Sequence, residues 1–117
     1  MSRLTISTGL ILDPVTQSVK TSSIYLADDY IIAIDHKPDG FEAEQTIDAS
    51  GLIISPGLVD LCARLREPGL EYKADIDSET RAAASAGITT LCCPPDTDPV
   101  IDEPAVVELI HRKAAMA

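Results

Sequence analysis

Tryptophan is absent from this 117-residue chain, and its aromatic side chains amount to one phenylalanine and three tyrosines. Any core must therefore be assembled mainly from Ile, Leu, Val and Ala, without the large area that aromatic rings bury. Basic residues are scarce too: nine Lys and Arg stand against nineteen Asp and Glu, a formal net charge of −10. The deficit is even. Residues 1–56 carry eight acids and three bases, and residues 57–117 carry eleven and six, so there is no acidic tail and no basic patch. That excludes the positive face needed to displace counterions from nucleic acid and disfavours anionic membrane surfaces. No apolar run approaches the roughly 18 residues of a membrane span. No unbroken apolar stretch follows the start Met1-Ser2-Arg3-Leu4-Thr5, so a signal peptide is not expected. The cysteines, Cys62, Cys92 and Cys93, are odd in number and lie in apolar, strand-like settings. They are expected to be reduced, small core residues of a cytoplasmic protein rather than a disulfide framework.

What is present is strand-forming sequence, then an alternation. Arg3–Leu12 is rich in β-formers and ends at the turn pair Asp13-Pro14. Strands are predicted over Thr21–Ala27 and Tyr30–Asp35, divided by Asp28-Asp29, and short ones over Gln45–Asp48 and Leu52–Ile54. Such spacing suggests a small sandwich or an edge sheet. The character changes at Ser55-Pro56-Gly57. Gly57–Leu65 suits a mostly buried strand, broken by Arg66-Glu67-Pro68-Gly69. Asp75 is placed to cap a helix running to Ala86, with Asp77 and Glu79 near its positive end and Gly87 at C′. Ile88–Cys93 is again strand-like, and Asp102-Glu103-Pro104 opens a second helix. Val106, Val107, Ile110 and Ala114 recur on one face of it, and its last turns carry the basic run His111-Arg112-Lys113.

The second half therefore reads β-α-β-α, two units of a parallel sheet or barrel. Two units cannot close a (β/α)₈ barrel, which takes about 250 residues, and alone they leave sheet edges unpaired. The expectation is a piece of a longer protein; a complete small interaction module is the competing reading.

Residues 48–69, Asp-Ala-Ser-Gly-Leu-Ile-Ile-Ser-Pro-Gly-Leu-Val-Asp-Leu-Cys-Ala-Arg-Leu-Arg-Glu-Pro-Gly, resemble the entry to the first barrel strand of dihydroorotases and related cyclic amidohydrolases. The likeness continues through Lys73, Asp75-Ile76, Thr80-Arg81-Ala82-Ala83-Ala84, Gly87-Ile88-Thr89-Thr90 and Pro95 to Asp102, nearly the whole chain. It implies an α/β architecture: a small β-sandwich segment at 1–55, then the first two βα units of an amidohydrolase-type TIM barrel at 56–117, with the barrel incomplete.

In active members of that family the strand after Pro-Gly carries Asp-x-His-x-His. Side chains at i and i+2 of a strand point the same way, so two imidazoles converge on a metal that activates water and polarises the cyclic amide. The matching positions here are Asp60, Cys62 and Arg64. A Cys62 thiolate can ligate zinc. Arg64 cannot, because its guanidinium has no lone pair to give and stays protonated. At ~4 Å and an effective dielectric of about 20 it would repel a dication by several kcal/mol. The expectation is that the metal site is lost and that Arg64 forms an ion pair with Asp60, Asp96 or acids outside this sequence. Asp60 reads as a metal-strand residue or as a plain hydrogen-bonding residue at a strand end.

Two further positions bear on substrate. Arg66 matches the arginine that grips the substrate carboxylate, or else it only packs its own turn. Asp96 stands where the family has an asparagine, and a carboxylate there repels another carboxylate. Both are vestigial substrate-binding candidates. Cys92-Cys93 lacks C-x-x-C spacing, and neither His36 nor His111 is placed like a ligand. Asp75, Asp77 and Glu79 read as capping and solvated surface, not an acid/base pair.

The resemblance, through the altered strand and Leu91-Cys92-Cys93-Pro94-Pro95-Asp96, is to the non-catalytic pseudo-dihydroorotases in particular. It implies a role in pyrimidine biosynthesis as a structural partner of the aspartate carbamoyltransferase catalytic subunit, as a homo-oligomer, with no cofactor. The runner-up is an active dihydroorotase, hydantoinase or allantoinase, which would need zinc held by later strands.

Overall fold

The computed structural model describes residues 2–117 and divides into two compact units, Met1–Pro56 and Gly57–Ala117. The described strands of the first unit form one mixed sheet in the order β3-β2-β1-β4, with β5 also pairing with β1. β1 (Arg3–Asp13) pairs antiparallel with β2 (Ser18–Ala27), Arg3 opposite Ala27 and Asp13 opposite Ser18. Asp13 closes that hairpin: Oδ1 accepts from the Val15 amide at 2.9 Å and Oδ2 from the Thr16 hydroxyl at 2.7 Å. The Thr16 hydroxyl, then the backbone amides of Thr16 and Val15, hold this carboxyl below its ordinary range. β3 (Tyr30–Ile34) returns antiparallel to β2 after Asp28-Asp29, and β4 (Gln45–Asp48) and β5 (Ile53–Ile54) run parallel to β1. Of sandwich and sheet, these residues form a single sheet.

The shortage of aromatics is met by placing the one phenylalanine well. Phe41 is buried with Ile11, Ile24 and Ala49. Tyr25 meets its ring edge-on at 5.5 Å, and the Arg3 guanidinium lies 5.6 Å from its centroid.

The second unit runs β6 (Leu58–Asp60), α1 (Ile76–Ser85), β7 (Ile88–Leu91) and α2 (Pro104–Ala114), with β6 and β7 parallel. α1 starts where Asp75 allows it. The Asp75 carboxylate accepts from the Ser78 amide at 2.8 Å, and the Ser78 hydroxyl reaches back to the Asp75 amide, a reciprocal capping box. Asp77 bonds Arg81 at 2.7 Å one turn on, so it is helix surface. Gly87 takes the left-handed φ of +81° just past the helix end. α2 has Pro104 in its first turn and His111, Arg112 and Lys113 in its last. Of its apolar face only Val106 is buried, while Val107 is exposed. Leu65, Pro68, Ile76 and Thr97 are the other buried residues of this unit.

Two expectations are corrected here. The strand foreseen over Gly57–Leu65 ends at Asp60, because the Asp60 side chain captures the Cys62 amide at 2.8 Å and turns the chain. The cysteines are free, but Cys62 and Cys92 are exposed and only Cys93 is half-buried. Both exposed thiols follow the last ladder pair, Asp60–Leu91, and lie outside the strands. Burial raises the Cys93 thiol pKa, which suits an inert thiol.

The break after Leu65 is a tight turn. Arg66 has a φ of +66° and its carbonyl accepts from the Leu70 amide at 2.8 Å. The Asp98 amide donates to the Pro68 carbonyl at 3.1 Å, bringing residues 97–99 onto the turn. Gly69, at φ +99°, lies so close that a Cβ there would sit 2.3 Å from the Asp98 carbonyl oxygen. Gly69→Ala is expected to lower stability by more than about 1 kcal/mol, since both the φ and the space exclude a methyl group. Thermal denaturation of the variant beside the parent would show it; equal melting temperatures would contradict this account of the turn.

Candidate functional site

The residues singled out from sequence gather past the carboxyl end of β6, beside the segment leaving β7. The ladder continues for one step beyond the strands: the Cys92 amide donates to the Asp60 carbonyl at 2.8 Å, and the Ala63 amide to the Cys92 carbonyl at 3.0 Å. Leu61 and Cys62 are both spanned by that step, a bulge. Cys62 and Arg64 are therefore not alternate residues of a regular strand, and the i, i+2 geometry that aims two ligands at one ion is missing.

Arg64 goes elsewhere. Its Nε donates to Asp96 Oδ2 at 2.5 Å, a short charge-assisted bond between half-exposed side chains. That bond, with the charge of Asp96, raises the Arg64 pKa further. The same bond holds the Asp96 carboxyl below the ordinary carboxylate range; partial desolvation opposes it, and the positive charges of Arg64 and then Arg66 add to it. Asp96 is consequently ionised at neutral pH, and the pair would open only as pH falls through that depressed value. Of the two partners foreseen for Arg64 within this chain, the structure shows Asp96.

Asp60 is used locally, its carboxylate accepting from the Cys62 amide. Arg66 is half-buried, and among the described residues its side chain has no hydrogen-bond or ion-pair partner. An open cavity of about 320 Å³ lies between Asp60, Cys62 and Arg64 on one side and Glu79, Ala82 and Ala83 of α1 on the other. His36 and His111 are exposed and lie elsewhere.

These residues do not fit the zinc of active family members. One of the two strand positions offers a thiol and the other a guanidinium already tied to a carboxylate. Among the described residues no three His, Cys, Asp or Glu side chains gather as metal ligands would.

Glu67 has a role the sequence did not disclose. Its side chain is only 13% exposed; Oε2 accepts from the Ile76 amide at 3.0 Å and Oε1 pairs with Lys113 Nζ. One carboxylate thus joins the turn, the first residue of α1 and the last turn of α2. The Glu67 hydrogen bond is the largest influence raising the Lys113 pKa. Lys113 had been read only as part of a basic helix end. A partner 46 residues away leaves no periodic signal to find.

Residues 51–116 match the family described as dihydro-orotase-like. Over 107 residues the chain is 48% identical to the dihydroorotase-like protein of Pseudomonas aeruginosa, covering 92% of this chain and 25% of that one. It is 40% identical over 111 residues to the dihydroorotase of Citrifermentans bemidjiense, covering 95% and 26%. Among solved structures it superposes on L-hydantoinase (dihydropyrimidinase) from Arthrobacter aurescens with a TM-score of 0.81 at 25% identity, covering 97% of this chain and 25% of that one. The chain spans about a quarter of the length of these relatives. Its architecture is that of the sheet segment and opening βα units of an amidohydrolase-type barrel.

Proposed function

This chain belongs to the dihydro-orotase-like family, and from that membership we propose that it is a non-catalytic member acting in pyrimidine biosynthesis. The observation that carries the proposal is the Arg64–Asp96 ion pair. A cation that cannot ligate occupies the position of the second strand histidine, and its charge is satisfied by the protein itself. The higher identity to the relative named dihydroorotase-like than to the one named dihydroorotase supports the same reading. A barrel scaffold can lose its chemistry while its surface remains in use for contacts.

In this reading the partner is the aspartate carbamoyltransferase catalytic subunit, the protein is a cytoplasmic homo-oligomer, and nucleic acid and membranes are not partners. The charge balance supports the last point, and among the described residues no helix is long and apolar enough to cross a membrane. No resident cofactor is proposed.

A second reading, an active cyclic amidohydrolase of dihydroorotase, hydantoinase or allantoinase type, is favoured by the 40% identity to a relative named simply dihydroorotase. It requires zinc held entirely by residues outside this chain. The two readings separate on the full-length gene product, purified without chelator and assayed again with added zinc. The expected result is no stoichiometric metal, no dihydroorotase turnover, and co-purification with aspartate carbamoyltransferase. One metal per chain together with clear turnover would overturn the non-catalytic reading.

A further inference from the structure

Two of the three cysteines meet across the bulged step that follows β6 and β7, and neither proposed function uses them. The Cys92 amide donates to the Asp60 carbonyl at 2.8 Å, and the Cys92 carbonyl accepts from the Ala63 amide at 3.0 Å. Cys92 is thus held opposite the pair Leu61-Cys62. The Asp60 carboxylate fixes the Cys62 backbone from its own side, accepting from that amide at 2.8 Å. Adjacent strands run about 4.7–4.9 Å apart, and a disulfide spans Cα atoms about 4.4–6.8 Å apart, so residues facing each other across such a step are within bridging range. Both cysteines are exposed and free. Cys93 differs: it is half-buried, its thiol donates to the Pro94 carbonyl at 3.5 Å, and burial raises its pKa, all of which withhold it from exchange.

We propose that Cys62 and Cys92 are a redox-sensitive pair, reduced at rest, that closes to a disulfide across this step when a small disulfide such as oxidised glutathione accumulates. The chemistry is thiol–disulfide exchange. One cysteine thiolate attacks a sulfur of oxidised glutathione, forming a mixed disulfide and expelling one glutathione thiolate. The second cysteine thiolate attacks the protein sulfur of that mixed disulfide, forming the Cys62–Cys92 bond and expelling the second glutathione thiolate. The protons lost by the two cysteines are taken up by the two glutathione thiolates. Two cysteines are oxidised and one glutathione disulfide is reduced to two thiols. The bridge ties the segment leaving β6 to the segment leaving β7, the same two segments that the Arg64–Asp96 pair joins. It also closes a loop over residues 62–92 that contains α1, which restricts the unfolded chain. The proposal is independent of whether the protein is catalytic, because neither reading assigns Cys62 to a metal.

The experiment incubates the full-length protein with oxidised glutathione under native conditions, blocks the remaining thiols by alkylation, and maps the product by mass spectrometry after trypsin. Trypsin cuts after Arg64 and Arg81, so the bridge joins the peptide ending at Arg64 to the one beginning at Ala82, lighter by two hydrogens than the separate peptides and released by dithiothreitol. Cys93 lies on the second peptide too, and variants identify the partner. Cys93→Ser, or Cys93→Ala should serine fold poorly there, is expected to keep the link, whereas Cys62→Ser and Cys92→Ser are expected to lose it. The oxidised parent is expected to melt above the reduced parent, a difference absent from Cys92→Ser. A link that survives Cys62→Ser or Cys92→Ser would overturn the proposal. So would a product that stops at glutathione adducts, no reaction of either thiol, or an oxidised parent that melts no higher than the reduced one.

Discussion

Ile76→Ala is expected to lower the stability of the protein by about 2–5 kcal/mol, the range for truncating a fully buried aliphatic side chain. Ile76 is the most deeply buried side chain among the described residues, at 1% exposure. Its position explains why relaxation would recover little of the loss. It is the first residue of α1, its amide donates to Glu67, and its carbonyl accepts from the Thr80 hydroxyl at 2.7 Å. The backbone around the cavity is thus held from both sides, and little collapse is open to it. A denaturant titration should show a lower midpoint with an unchanged slope, and Ile76→Val should cost only about 0.5–1.5 kcal/mol. An alanine variant within about 1 kcal/mol of the parent would mean that the site collapses and that this unit has no tightly packed centre.

Glu67→Ala is expected to be the second large loss, and its physics differs. The carboxylate satisfies the buried end of α1 through the Ile76 amide and neutralises Lys113 of α2. Removing it orphans a donor and a cation at once. The hydrogen bond from a buried amide to a charged acceptor is by itself worth about 1.5–3 kcal/mol, and the unpaired lysine adds to that. Glu67→Gln separates the two contributions: the amide oxygen can still accept from Ile76, while the charge opposite Lys113 is gone. The expected order of thermal stability is parent, then Gln, then Ala. If Glu67→Ala melts with the parent, the carboxylate does not join these elements. Lys113→Met should recover part of the alanine variant's loss, because it removes the cation left without a partner.

These two residues mark where reading from sequence worked and where it stopped. The α1 helix was legible to the residue at its start, because an Asp placed to cap, followed by acids in the first turn, is a local signal; that Ser78 returns the bond was seen only in the structure. Its end was equally plain, because Gly87 is the residue type that accepts a positive φ. The hairpin at Asp13-Pro14 and the proline start of α2 belong to the same class. The strand after Gly57 was misjudged, however. Its apolar pattern runs on past Asp60, but a side-chain bond to the Cys62 amide ends it, and a single captured amide leaves no mark in hydrophobic periodicity. Cys62 lies just past that break and Cys92 just past the end of β7, and both are exposed.

At the candidate site, the residue types alone were enough to doubt the metal, since a guanidinium has no lone pair to share wherever it points. Composition and charge likewise carried the expectation that nucleic acid is not a partner, and local capping chemistry marked where α1 begins and ends and where α2 begins. What only the tertiary structure decided is pairing across distance: Arg64 with Asp96, Glu67 with both Ile76 and Lys113, and the 67–69 turn with Asp98. The division has a physical reason. Caps, turns and protonation states depend on neighbours within about four residues and on intrinsic chemistry. An ion pair between residues 32 or 46 positions apart exists only once the parallel strands and the helices between them have brought those side chains together.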